Sequence, residues 1–460
     1  MFRIHSSSFR DPSGFVYTEG GQLYRQINIV YKANYDLFIK SGLYHELVER
    51  GFLIPHREIE EKSGISSDAY KIISPELIPF ISYPYEWCFS QLKDAALLTL
   101  EIQKIALRFG MSLKDATPFN VQFHKGRPVF IDTLSFEKYY PDRPWVAYRQ
   151  FCQNFAAPLA LMAYTDIRLN KMFRLYLDGV PLDLASALLP FKSRFHAGAL
   201  IHVHLHAGAQ KRSKNFSLKG HAAGLHFSLA AFQGLIDSLQ SFISSLKFPM
   251  SAGPWSQYYA QSESYSHEAS SHKRQLIATL LDRIEPKSLW DIGANTGYFS
   301  EMAAKKGIPT VSFDMDHACT EIRYLSVKKN RMTNLLPLIV DIANPSPGIG
   351  WENEERSSLF GRGPVDTAMA LALIHHLAIS CNLPFSKIAH FFQSICRRLI
   401  IEYVPKEDPM AQELLSLRED IFGHYNLEEF RESFSRYFNI QSETAVEHSK
   451  RIIFLMEKKP

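Results

Sequence analysis

Between Ser288 and Ser300 the chain reads S-L-W-D-I-G-A-N-T-G-Y-F-S: an apolar run closing on Asp291, a turn with Gly293 and Gly297, and the start of a helical segment. Glycines let a backbone pass close to a ligand and adopt dihedrals closed to other residues, and the first turn of a helix offers free N–H groups. Later apolar runs also end in acids: Thr310–Phe313 in Asp314, Leu335–Val340 in Asp341 followed by Ile342, and Arg398–Tyr403 in Glu402. A carboxylate accepts hydrogen bonds from both hydroxyls of a ribose, and one beside an apolar side chain suits the amino group and ring face of an adenine. A dinucleotide turn would read G-x-G-x-x-G. Here the turn is D-x-G-x-N-x-G, and its leading acid suits a cationic or hydroxyl-bearing ligand end better than a pyrophosphate. A further run, Asp366–Leu377, reads as a buried strand opening into His375 and His376. Either imidazole there can act as a general base, or both pack beneath a bound cofactor.

These acids need strands to present them, and the sequence from Leu289 onward alternates short apolar runs with helical segments, the pattern of βαβ units and a parallel sheet. The last strands are expected at Ile440–Ala445 and Arg451–Glu457. At 460 residues, two or three domains are expected. The basic, small and polar stretch 207–224 reads as a linker between an N-terminal accessory domain, 1–206, and a C-terminal domain, 225–460. The latter opens with an amphipathic helix, Leu225–Leu246, as an N-terminal cap. With 51 Lys+Arg against 47 Asp+Glu the charge is too diffuse to imply nucleic acid. No signal-peptide pattern opens the chain, and no run of about 18 apolar residues occurs. A soluble, cytoplasmic protein without a membrane partner is expected. Five scattered cysteines without C-x-x-C spacing argue against a disulfide scaffold or a thiolate zinc site.

The ordered set of strand-end acids resembles the class I S-adenosylmethionine-dependent methyltransferases over about Trp255–Pro460. The resemblance implies a Rossmann-like seven-stranded domain with S-adenosyl-L-methionine as cofactor. Asp291, Gly293, Asn295 and Gly297 would form its methionine-side loop, Asp314 its ribose contact, and Asp341 with Ile342 its adenine contact. His375 and His376 then lie where the family's acceptor binds. Amino-group DNA methyltransferases carry Pro-Pro-aromatic after the fourth strand, and cytosine enzymes a Pro-Cys; A-L-I-H-H-L has neither. The acceptor is therefore expected to be a small molecule or a protein side chain. The insertion Asn344–Pro364 reads as a mobile surface loop, with a substrate lid as the alternative, and the aromatic segment Trp255–Tyr265 as packing or a site cap.

In the N-terminal half, Asp115 and Asn120 stand as D-x-x-x-x-N, and a hairpin turning at Lys125–Gly126 leads to Asp132. This resembles the catalytic loop and metal-binding Asp of protein kinases and related small-molecule kinases. Leu92–Phe109 reads as the preceding helix and Gly14–Ile27 as a strand–turn–strand. The departures are Leu113 in place of the usual His, Thr-Leu after Asp132, and no Val-Ala-x-Lys strand, for which Lys32 or Arg25 would have to substitute. A degenerate, kinase-like α+β domain is expected, with an active phosphotransferase as the alternative; a third reading is a non-catalytic binding module on a methyltransferase scaffold. In H-V-H-L-H, His202, His204 and His206 share one face if extended and diverge if helical; with no acid or Cys nearby, no metal site is expected. Across its whole length the chain resembles a family of bacterial methyltransferases that includes NoeA, through S-G-L-Y-H-E-L, D-A-T-P-F-N-V, P-V-F-I-D-T-L-S-F-E, D-I-G-A-N-T-G and I-E-Y-V-P-K-E-D-P.

Overall fold

A computed structural model describes residues 2–60, 65–141, 143–209, 228–249, 266–416 and 419–460. Two compact units emerge: Met1–Met250 with Ile349–Arg356, and Ser251–Gly348 with Ser357–Pro460.

The first unit begins with an antiparallel sheet of β1 (Phe2–Ile4), β2 (Gly14–Glu19), β3 (Gln22–Asn28), β4 (His56–Glu58) and β5 (Ala69–Pro75), in the order β1-β2-β3-β5-β4. β2 and β3 meet through Gly20–Gly21, both at positive φ, the turn whose twist matches that of a hairpin. Helices α1 (Lys32–Lys40) and α2 (Leu43–Glu49) follow β3, and Ile27, Tyr31, Tyr35, Ile73 and Leu134 close a core beneath them. The long helix α3 (Phe89–Arg108) is buried on most of its circumference because other elements cover more than one of its faces. After it, β6 (Met111–Leu113) pairs with β9 (Phe136–Lys138), and β7 (Val121–His124) with β8 (Arg127–Phe130) across Lys125–Gly126.

The apolar stripe expected at Leu225–Leu246 forms the helix Leu229–Ser245. Periodicity defines such a stripe but not the surface it covers, and this helix groups with the first unit. It lies against α3, where Lys104 pairs with Asp237 at 2.6 Å and Lys93 donates to the Leu246 carbonyl at 2.7 Å. Residues 210–227, most of the expected linker, and the aromatic segment Trp255–Tyr265 lie outside the described residues.

The second unit is built on a seven-stranded sheet. Its strands are β10 (Leu289–Ile292), β11 (Thr310–Asp314), β12 (Leu335–Ile339), β13 (Val365–Ala370), β14 (Cys396–Tyr403), β15 (Phe438–Ala445) and β16 (Ile452–Lys458), in the order β12-β11-β10-β13-β14-β16-β15. β10 to β14 are parallel and β15 and β16 antiparallel. The composition explains the split. The parallel strands are near-continuous apolar runs, as strands covered on both faces must be, while the edge strand β15 alternates half-buried and exposed residues after Phe438. Leu289, Met369, Ile400 and Leu455 from the sheet and Ile277 and Leu281 from the helix His267–Ile284 form one core. This is the Rossmann-like class I methyltransferase fold.

One expectation needs correction. The run Asp366–Leu377 is not one strand: β13 ends at Ala370, Ala372 takes φ +51°, and a π-helical turn starts at His376. The Ala372 N–H leaves the sheet pattern because the Glu402 carboxylate accepts it at 2.7 Å. Within the insertion, Ile349–Arg356 belongs to the first unit and stays at the surface, with residues 351–354 exposed. Its ends bridge, and Glu355 is buried in the first unit, bonded at 2.8 and 2.9 Å by the Arg10 guanidinium. A buried carboxylate needs such a partner.

Candidate functional site

In an open parallel sheet, ligands bind beyond the carboxyl ends of the strands where the strand order reverses, which here is between β10 and β13. Asp291 near the end of β10 is buried and accepts the Ser300 hydroxyl. The turn that follows is tied to the end of β11, since Gly293 and Ala294 both donate to the Phe313 carbonyl at 2.9 and 3.0 Å. Gly293, Asn295 and Gly297 have φ of 75°, 52° and 74°. A Cβ on Gly293 would lie 3.0 Å from Leu373, and one on Gly297 2.5 Å from the Arg323 guanidinium, so glycine keeps this cradle open. Arg323 braces the turn from outside through the Thr296 carbonyl and Glu301.

Asp314 closes β11. One oxygen accepts Asn295 N–H at 2.6 Å and the other Asp316 N–H at 2.8 Å, so each retains acceptor capacity. Asp341, just past β12, is half-buried beside half-buried Ile342 and accepts Ala343 N–H at 2.9 Å. The structure thus brings Asp291, Gly293, Asn295, Gly297 and Asp314 into one hydrogen-bonded turn, with Asp341 beyond the next strand.

Burial pushes Asp291 up to about 7, against the pull of the Ser300 hydroxyl, with the Asp314 charge adding to the rise. Burial likewise raises Asp314 to about 6, opposed by the amides of Asp316 and Asn295. Among the described residues neither acid forms an ion pair. That set of acceptors fits a group presenting cationic and hydroxyl donors, as S-adenosylmethionine does.

His375 and His376 follow β13 with ring centroids 4.2 Å apart. His375 is 1% exposed and its Nδ1 has no hydrogen-bond partner among the described residues. Burial, then the charges of His376, Arg451 and Lys273, hold it well below the ordinary histidine range. Half-buried His376 is lowered by burial and by Arg451. Both imidazoles are neutral near pH 7.

The sequence reading missed the charges that brace this region. Lys273 pairs with Glu402 at 2.6 Å, both fully inside the fold, and the same carboxylate oxygen holds Ala372 N–H. Burial lowers Lys273, with the Glu402 charge opposing. Arg451 pairs with Asp408 through two bonds of 2.6 and 2.9 Å. A signal for Lys273 existed: it stands between Ala269 and Ile277 at four-residue spacing, on the apolar face of its helix. Tyr403, beside Glu402, packs against Tyr425 and Phe430.

In the first unit, Asp115, Asn120 and Asp132 come together. Asp115 accepts Gln150 at 2.6 Å, and Asn120 donates to Ser135 at 3.1 Å. Burial and then the Asp132 charge raise Asp115. Asp132 meets Arg25 of β3 at 2.5 Å and also accepts the Ser135 hydroxyl and Leu134 N–H. Burial pushes Asp132 up, but Arg25 and these bonds outweigh it and leave the carboxyl below its ordinary range. The H-V-H-L-H segment is helical, with His202 and His204 in the π-helix Leu200–Leu205 and His206 as its C-cap: His204 turns away to Ser186 and Ser193, while His202, also bonded to Ser238, and His206 both meet Tyr148, the first by a hydrogen bond and the second by stacking on its ring. Among the described residues no cluster of His, Cys, Asp and Glu is arranged to hold a metal ion.

No family model matches the chain. Among solved structures, the bifunctional kinase-methyltransferase WbdD shares 15% identity at a TM-score of 0.30, covering 44% of this chain and 41% of that one. The magnesium protoporphyrin IX methyltransferase of Synechocystis PCC 6803, solved with bound SAH, shares 16% at 0.32, covering 45% and 93%. A putative O-methyltransferase of Nostoc punctiforme PCC 73102 shares 16% at 0.34, covering 46% and 63%. The nodulation protein NoeA of Rhizobium meliloti (strain 1021) is 34% identical over 98% of this chain and 96% of its own length. With identity at that level running from end to end through both units, the chain belongs to the NoeA family.

Proposed function

We propose that the second unit binds S-adenosylmethionine and transfers its methyl group to a small molecule or a protein side chain. The observation that carries this reading is the pair of buried Asp291 and half-buried Asp314 at adjacent strand ends, both raised and, among the described residues, neither in an ion pair, beside a left-handed glycine turn. In this reading the turn Asp291–Gly297 holds the methionine side, Asp314 the ribose hydroxyls, and Asp341 with Ile342 the adenine. When bound, the cofactor supplies an electrophilic methyl group on a sulfonium.

The chain's part is alignment and exclusion of water. Asp314 has an acceptor site left on each oxygen for the two hydroxyls. Ala372, held by Glu402, presses Leu373 toward Gly293 and sets where the histidine pair begins. Half-buried His376 takes the acceptor's proton; buried His375 supports its ring. Calorimetric titration of S-adenosylmethionine tests the reading. Micromolar binding, weakened about tenfold or more in Asp314→Ala, is expected. No binding to the wild type at millimolar cofactor would sink it.

A further inference from the structure

The first unit carries a surface feature that neither acid cluster uses. In P-F-K-S-R-F, residues Phe191–Phe195 form one short helical turn whose buried residue is Ser193. Its hydroxyl donates to the Pro190 carbonyl at 2.7 Å and meets His204 Nε2 at 2.8 Å, and His204 Nδ1 meets Ser186 at 2.8 Å. The turn is thus pinned by its smallest side chain while its large ones stand outward. Phe191 and Phe195 are 73% and 77% exposed, and Leu188 and Leu205 on the adjoining helices are exposed too. Lys192 and Arg194 alternate with the rings, the Arg194 guanidinium lying 6.0 Å from the Phe191 centroid.

Isolated exposed apolar residues need no explanation, but a held pair of phenylalanines between cations does. The surrounding sequence is free of acids: from Asp183 to Asp237 no other Asp or Glu occurs, while Lys192, Arg194, Lys211, Arg212, Lys214 and Lys219 all do. With both of those acids counted, the stretch carries the whole net +4 of the chain, and the remainder is balanced. Charge this asymmetric points to an anionic partner.

We propose that this surface docks on an anionic lipid bilayer, Phe191 and Phe195 entering the boundary between headgroups and acyl chains and Lys192 and Arg194 meeting lipid phosphates. Peripheral binding needs an apolar signal and a basic one together, and both are present. The two rings touch edge to face, 82° apart with centroids at 5.7 Å, which leaves no parallel gap for a nucleobase to stack; a bilayer accepts rings in any orientation. The sequence expectation of no membrane partner rested on the lack of a spanning run, and among the described residues no helix is long and apolar enough to cross a membrane. Docking on a membrane surface requires no such helix.

The test is co-sedimentation of the full chain with phosphatidylcholine vesicles, with and without phosphatidylglycerol, at low and high salt. Binding should require phosphatidylglycerol, weaken with salt, and fall about tenfold or more both in Phe191→Ser/Phe195→Ser and in Lys192→Glu/Arg194→Glu. These surface variants should keep the wild-type circular dichroism. Equal binding to both vesicle types, no binding to either, or variants that bind as the wild type does would overturn the proposal. So would a wild-type dimer that Phe191→Ser/Phe195→Ser makes monomeric, which assigns the surface to a second copy. Salt-sensitive capture of a single-stranded oligonucleotide without vesicle binding would assign it to nucleic acid instead.

Discussion

Each unit gathers acids beside a turn, and the two sets differ in what already faces them. In the first unit Asp132 meets the Arg25 guanidinium at 2.5 Å, takes a hydroxyl and an amide as well, and lies below the ordinary carboxyl range. In the second, Asp291 and Asp314 take only hydroxyl and amide donors and are raised to about 7 and about 6. A buried acid with its own cation is satisfied by the fold; one without is stabilised when a ligand supplies the missing donors. On the proposed reading, the difference separates an acid cluster satisfied by the fold from the site that takes a cationic, hydroxyl-rich ligand.

The largest test of that contrast concerns the charges that brace each set. Lys273→Met leaves Glu402 buried without its cation and should destabilise the second unit by about 3–5 kcal/mol. Arg25→Met, at a partly exposed pair, should cost about 1–3 kcal/mol in the first. Urea unfolding of both variants measures this, and Lys273→Met/Glu402→Leu should recover part of the loss. A larger cost at Arg25 than at Lys273 would reverse the comparison.

Next in size is the response to acid. His56 and His202 in the first unit are lowered to about 4 by burial. Their neutral forms contribute stability that is present above the ordinary histidine value and is lost as pH falls toward about 4. Between about pH 7 and 5 this should cost the first unit about 1–2 kcal/mol per histidine. In the second unit His375 acts in the same direction. Asp291 and Asp314 act against it, because their raised carboxyls contribute stability that is full below about pH 4 and lost as pH rises through about 6 and 7. Amide hydrogen exchange resolved by unit should therefore show the first loosening sooner on acidification; simultaneous loosening would contradict the assignment.

Cofactor affinity gives a smaller but more specific signal. The cationic and hydroxyl donors of S-adenosylmethionine favour ionised carboxylates, so binding should tighten about tenfold or more from about pH 5 to about pH 8. Asp314→Asn should flatten the lower part of that profile. The smallest expected effect is none: magnesium with ATP should shift the melting temperature of the wild type by less than about 1 °C, since Arg25 already neutralises Asp132. A larger shift that disappears in Asp132→Ala would restore the phosphotransferase alternative.

The parts of this protein that could be read from its sequence are those determined over a few residues. Apolar runs marked the strands of the second unit, the glycines at 293 and 297 marked a turn needing positive φ, and each acid could be assigned to a strand end because periodicity and turn chemistry act between near neighbours. D-x-x-x-x-N and the hairpin after it were visible for the same reason. What required the tertiary structure was every pairing across a long stretch of chain. Arg25 stood out only as one of two possible substitutes for a missing lysine, and the contact with Asp132 shows it satisfies an acid. Glu402 reaches back to Ala372 and Lys273, ending the fourth strand earlier than its apolar run suggests. The H-V-H-L-H segment suits a strand or a helix, and packing of the surrounding helices selected the latter. Charge and hydrogen-bond partners depend on distance in space, not along the chain, so the buried ion pairs that decide which acids remain open to a ligand form only when the sheets and helices have assembled.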